Sequence, residues 1–167
     1  MILRLDQKLA KKVHAGPLVE RPAADNPYAD WTVRLFTAAR TQYVLFCNTH
    51  ALYGMVFYGR GITDDCTLIA RGIESLRETM LSDGLGLIFQ NLVVPHTGEV
   101  RFAKALNRSV TGSVNELVPI AEIFLADGEL APADIPERLN DTPLSAVGDK
   151  KHSLGFPREA IKNMMGS

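Results

Sequence analysis

Residues 30–58, D-W-T-V-R-L-F-T-A-A-R-T-Q-Y-V-L-F-C-N-T-H-A-L-Y-G-M-V-F-Y, decide the fold class. Within them apolar residues alternate along three runs: Trp31, Val33 and Leu35, then Tyr43, Leu45 and Cys47, then Tyr53, Met55 and Phe57. A period of two is the spacing at which side chains fall on one face of a strand. Residues 38–41 and 48–51 between the runs leave room only for hairpin turns, which predicts an antiparallel meander of three strands.

After Gly59 and Gly61 the period changes. Thr63 or Asp64 stands where a helix cap belongs, and Cys66, Ile69, Ile73, Leu76 and Met80 then recur at helical spacing as far as Gly84. Residues 85–92 read as a short helix, residues 93–95 as a turn, and residues 99–106 alternate weakly, as a fourth strand would. Val114, Leu117, Val118, Ala121, Phe124 and Leu125 mark a second amphipathic helix.

On the other side of the meander, residues 1–5 suit a strand, and Asp6 can cap a short helix running to about Val13. Residues 16–27, rich in proline, read as an ordered surface loop. Pro132, Pro136 and Pro143 break residues 131–146 into short helices, and residues 147–167 have the glycine and charge of a flexible or loosely packed tail. The fold class expected is α+β, a small antiparallel sheet covered by helices in a single domain over residues 1–146.

Composition bounds the function. A chain of 167 residues that is 46% hydrophobic and 22% charged fits one core. Its 18 basic against 19 acidic residues leave a net charge of -1, which lacks the positive field behind non-specific nucleic-acid affinity. Arg4, Asp6 and Lys8 interrupt the start of the chain and no apolar run reaches membrane-spanning length, so neither a secretory signal nor a membrane partner is expected, and the compartment read is the cytoplasm. Cys47 and Cys66 lie on apolar faces without metal-ligand spacing and are expected as buried, reduced thiols.

The densest polar stretch is residues 107–116, N-R-S-V-T-G-S-V-N-E. As a binding site it would use the free N–H groups at a helix start, with Arg108 as a fork for phosphate or carboxylate, Ser109 and Asn115 as neutral donors, and Glu116 as a base. As plain structure, residues 113–116 form an S-x-x-E capping box in which Ser113 and Glu116 close a helix start. Pro119 conflicts with a regular helix there, since it has no N–H for the Asn115 carbonyl.

Other patterns are weaker. His14, His50, His96 and His152 are scattered with no metal-binding spacing, and the G-x-G pairs at Gly59 and Gly84 lack the rest of a phosphate fingerprint, so neither metal nor cofactor is expected. The alternating aromatics of the meander could stack bases but read better as core, because few basic residues interleave them.

With these residues in view, the chain resembles a family of bacterial proteins, some plasmid-borne, known by sequence as a domain of unknown function. The resemblance rests on M-I-L-R-L-D-Q-K-L-A at the start, on N-P-Y-A-D-W followed by L-F and Y-V-L-F-C-N, and on N-R-S-V-T-G-S-V-N-E. It covers about the first 130 residues and extends weakly to residues 139–144. The family pattern favours Met or Leu at the place of Val114 and Asp at that of Glu116. The resemblance implies no reaction, cofactor or catalytic residue. Together these readings favour a non-catalytic binding or regulatory module for a protein partner or a small anionic ligand. The alternative is a hydrolase acting on a phosphate-containing substrate, with Arg108 and Glu116 beside Trp31 or Asn48.

Overall fold

The computed structural model describes residues 1–148 and 153–166. Strand β1 (Ile2–Leu5) leads into helix α1 (Gln7–Lys12), whose first turn Asp6 caps by accepting from the Leu9 amide at 2.6 Å. A loop and one 3-10 turn then bring the chain to β2 (Asp30–Ala38), β3 (Thr41–Asn48) and β4 (Gly54–Tyr58), which pair antiparallel as the meander pattern predicts. The β2–β3 turn is two residues long, and Ala39 and Arg40 both take positive φ, 46° and 64°. That conformation matches the twist of the strands and is one glycine and asparagine adopt at less cost.

Helix α2 (Asp65–Ser82) begins at Asp64, whose carboxylate accepts from the Thr67 amide at 2.7 Å, and ends at Gly84, where φ is 72°. Helix α3 (Gly86–Ile88) runs into a π turn, and β5 (Arg101–Ala103) follows. Helices α4 (Arg108–Leu125), α5 (Ile135–Leu139) and α6 (Pro157–Asn163) complete the described chain.

The strands form one five-stranded sheet in the order β4-β3-β2-β1-β5. It is mixed: β1 runs parallel to both β2 and β5, with Ile2 opposite Asp30 and Arg101. The expectation of a purely antiparallel sheet is corrected here. Only the meander has hairpin-length links; the segments from β1 to β2 and from β4 to β5 carry helices and are long enough for parallel crossovers.

Apolar helix faces cover the sheet on both sides. Leu3, Trp31, Val33, Phe46, Met55 and Phe57 pack with Leu9, Leu68, Leu76 and Met80 in one layer, and Phe36, Tyr43, Leu45 and Val56 pack with Val114, Leu117, Ala121 and Leu139 in the other. Strand β3 is consequently buried from Tyr43 to Asn48, and its Tyr43, Leu45 and Cys47 set lies on the face opposite Trp31 and Val33. Helix α2 approaches the sheet closely at Gly72, where a Cβ would stand 2.7 Å from Phe46 Cε2.

Two further expectations change. Cys47 is a buried free thiol, but Cys66 is exposed, because the buried stripe of α2 starts at Leu68 and the first turn projects beyond the core. The segment expected as a tail holds α6, whose Ile161 is fully buried and whose carbonyl accepts from the Tyr28 hydroxyl at 2.8 Å; residues 149–152 and 167 of that segment lie outside the described residues.

Candidate functional site

Helix α4 starts earlier than the capping box places it. Asn107 is the cap, with extended backbone and a side chain accepting from the Val110 amide at 2.9 Å. Ser113 lies within the helix, and its hydroxyl donates to the Ser109 carbonyl at 3.0 Å. The capping-box expectation for Ser113 and Glu116 is therefore overturned: an Asn one residue ahead of the first turn offers the same acceptor chemistry. Pro119 sits inside the helix on its exposed side, where solvent reaches the Asn115 carbonyl that its missing N–H would have bonded.

Arg108, Ser109, Asn115 and Glu116 are all exposed on the outer surface of α4. Trp31 and Asn48 stand opposite one another on β2 and β3, wholly buried. The Trp31 indole donates to the Tyr28 carbonyl at 2.9 Å; the Asn48 amide donates to the Pro27 carbonyl at 2.9 Å and accepts from the His50 and Ala51 amides. The structure thus gathers the first four on a convex helix surface and the last two in the core, with the sheet between the groups.

A polar centre that the sequence reading did not assemble lies between the interior strands β1 and β2. Arg4 and Asp30, both fully buried, pair through two 2.8 Å bonds. The other guanidinium donors reach the carbonyls of Arg21, Pro22 and Lys104, and Asp30 also accepts from the Ala24 amide and the Thr49 hydroxyl. Burial works against ionisation of Asp30, but the hydrogen bonds from Arg4, Ala24 and Thr49 outweigh it and hold its carboxyl below the ordinary value. Every Arg4 donor is used, so this centre fastens the residue 20–24 loop to the sheet and offers a ligand nothing.

The β4 edge of the sheet differs. A groove of about 1340 Å³ runs along β4. Its floor is residues 56–58, one wall is the Glu74, Ser75, Glu78, Thr79 and Ser82 stripe of α2, and the other wall is residues 131–137 leading into α5. Asp83, Asp141 and Arg158 line its remaining side. Arg158 pairs with Asp83 and bonds Asp141 at 2.7 Å, while the Tyr53 hydroxyl donates to Asp83 at 2.5 Å. Burial, reinforced by the bond to Asp83, pushes the Tyr53 hydroxyl above its ordinary value.

Along the floor, the Asn48 amide donates to the Tyr53 carbonyl and the Gly59 amide to the Gln42 carbonyl. Residues 53, 55, 57 and 59 therefore turn their backbone polar groups toward β3, and by alternation Gly54, Val56 and Tyr58 turn theirs toward the groove. At Gly54 the buried Asn140 side chain occupies the place of a neighbouring strand: its Oδ1 accepts from Gly54 N–H at 2.7 Å and its Nδ2 donates to Gly54 C=O at 2.9 Å. At the other end Arg71 donates to the Tyr58 carbonyl at 3.1 Å and the Arg60 carbonyl at 2.7 Å. Between these two caps the N–H and C=O of Val56 and the N–H of Tyr58 have no partner among the described residues, but Val56 is buried and only Tyr58 is exposed.

The lining carries six carboxylates, Glu74, Glu78, Asp83, Asp134, Glu137 and Asp141, against three guanidiniums, Arg60, Arg71 and Arg158. It includes no His, Cys or Lys. Glu74 pairs with Arg77, whose hydrogen bond holds it below its ordinary value, and Asp134 accepts from the Ala131 amide. No signal in the sequence separates the β4 edge from a paired strand; Asn140 and Arg71, distant from β4 along the chain, are what mark it.

An α+β molecule, a mixed five-stranded sheet covered by helices with a walled groove along one edge, is the class this defines. By sequence the chain belongs to the family described as domain of unknown function DUF6933, whose model matches residues 2–160. No curated protein and no solved structure matches the chain. The family match reaches into α6, in keeping with the packing of Ile161 in the core. Among the described residues no helix is long and apolar enough to cross a membrane.

Proposed function

We propose that the protein is a non-catalytic binding module of the cytoplasm and that its partner is another protein, held in the groove along β4. The observation carrying this reading is the groove itself, walled by α2 and residues 131–137, with Glu78, Glu137 and Tyr58 exposed along it. Groove chemistry supports binding over catalysis: no imidazole, thiol or amine lines it, and the Tyr53–Asp83–Arg158–Asp141 chain is committed to joining α2, α5 and α6. Its excess of carboxylates favours a protein over a small anion. Cys47 and Cys66 as free thiols agree with a reducing compartment.

A photo-crosslinking amino acid placed at Thr79, on the groove wall, should capture a protein in cells of the source, whereas the same group at Asn115 on α4 should not. In parallel, the purified protein should turn over p-nitrophenyl phosphate and bis-p-nitrophenyl phosphate no faster than buffer. Turnover lost in Arg108→Ala would refute the module and establish the hydrolase.

A further inference from the structure

We infer that the groove takes an arginine side chain of its protein partner, stacked on the ring of Tyr58 and paired with Glu137; this rests on the binding-module reading. The geometry that points to it is a column of aromatic rings that ends in the groove. Phe36 on β2, Tyr43 on β3 and Tyr58 on β4 stack in turn, with centroids 5.7 and 5.4 Å apart and planes 28° apart at both steps. Phe36 and Tyr43 are buried. Strand β4 is the edge of the sheet, so no strand carries the column further, and its last ring, 49% exposed, lines the groove. Residues 132–139 cover β4 at the buried Val56 and leave Tyr58 in reach, so a partner is recognised through side chains and not through the backbone of the strand.

A half-exposed ring is ordinary on a protein surface, and its surroundings give this one a preference. Tyr58 shares the sheet face of Tyr43, the face covered by Ile135 and Leu139, so its ring lies on the side of the residue 131–137 wall. That wall carries Glu137, which is exposed and whose carboxylate accepts no hydrogen bond among the described residues; Glu78 stands likewise uncommitted on the wall of α2. Arg158 is shared by Asp83 and Asp141, and Arg71, which comes from α2 on the other face of the sheet, is held by the Tyr58 and Arg60 carbonyls. Only Arg60 is left against the two glutamates and Asp134. A cation over a ring flanked by carboxylates gains both from the ring's quadrupole and from the opposite charge. Among side chains the planar guanidinium of arginine meets both demands at once, since it stacks flat on an aromatic face while its edge makes paired bonds to a carboxylate. The lysine ammonium is a more strongly hydrated point charge with no flat face to stack. Within this protein Arg138 already lies over the Phe124 ring, 5.9 Å from its centroid.

The test is panning of a phage library of random decapeptides against the full chain. Synthetic versions of the selected peptides are then titrated against the wild type and against Tyr58→Leu, Tyr58→Phe and Glu137→Gln, each checked for folding by its melting curve. Arginine should be enriched over lysine among the selected sequences. Binding should weaken roughly tenfold in Tyr58→Leu and in Glu137→Gln, and by about as much when the peptide's arginine is exchanged for lysine. Tyr58→Phe, which keeps the ring, should bind like the wild type. Should Tyr58→Leu fail to fold, Glu137→Gln and the exchanged peptides decide. Equal enrichment of lysine and arginine, selected peptides rich in Asp and Glu, or no selection at all would overturn the inference. Peptides that shift the amide signals of Glu78 and Glu137 but bind folded Tyr58→Leu as tightly as the wild type would overturn the stacked arginine and leave the binding module standing. Concentration-dependent dimerisation that Tyr58→Leu abolishes would overturn the foreign partner in favour of a second copy. The module reading itself falls only on the crosslinking and turnover results.

Discussion

The interior of the sheet and its β4 edge treat polar groups in opposite ways. Between β1 and β2, Arg4 and Asp30 are wholly buried, and every guanidinium donor has an acceptor. At the β4 edge, Asn140 and Arg71 satisfy the two ends of the strand and leave the backbone groups between them unbonded among the described residues. Charge and burial alone would point to the first as the active place. Saturation points to the second: a group with all its bonds made holds the molecule together, and only one with bonds left over can recognise something else.

The sharpest way to break this contrast is Arg4→Met. If the pair is a fastening, removing one partner strands a buried carboxylate and should cost roughly 3–5 kcal/mol in urea unfolding. The same pair gives a pH signature. Because the folded-state value of Asp30 is depressed below its ordinary 3.8, its contribution is complete above that value and is lost as pH falls through the lower, folded one. Acid unfolding of Asp30→Asn should consequently be less steep than that of the wild type over that window.

Next in size is Asn140→Ala. It would leave the Gly54 N–H and C=O unpaired beside a buried site and should cost on the order of 1–3 kcal/mol. It should also release the Gly54 amide, whose exchange should quicken. A cost near zero would mean that the Asn140 amide is not acting as a strand.

Smaller still is the comparison at α4. Asn107→Ala should lower stability by roughly 1 kcal/mol as a lost cap, while Ser113→Ala, removing a hydroxyl that bonds only the Ser109 carbonyl, should stay within about 0.5 kcal/mol. Equal losses would return the capping role to Ser113. The last prediction perturbs nothing: in the free protein, amides of Met55 and Phe57 should exchange slowly and that of the exposed Tyr58 quickly.

Much of the fold was legible because local spacing dictated it. The meander, the Asp6 and Asp64 caps, and the end of α2 at Gly84 all follow from residues within a few positions of each other. What was not legible depends on partners far apart in the chain. Parallel pairing of β1 joins residues near 2 to residues near 30 and 101, and no local period encodes direction. Cys66 continued the helical spacing but fell outside the contact that α2 makes with the sheet. Polarity concentrated at residues 107–116 drew attention to an exposed helix surface, because a sequence reveals how many polar groups a segment has and hides how many are already bonded. The groove needed Gly54 and Asn140, 86 residues apart, to be seen together.

The position of β1 has a consequence in time. It is made before the other strands, yet it lies between neighbours that arrive much later, with Ile2 opposite Asp30 on one side and Arg101 on the other. The β2–β4 meander closes through short turns and can form early; the middle of the sheet cannot close until the chain has passed residue 103. Loop-closure entropy makes such distant pairings late events in folding. Pulse-labelled exchange during refolding should therefore protect β3 before β1 and β5, and simultaneous protection of all five strands would contradict that order. On this account the strand at the heart of the finished sheet is a latecomer, docking against a meander that has already formed.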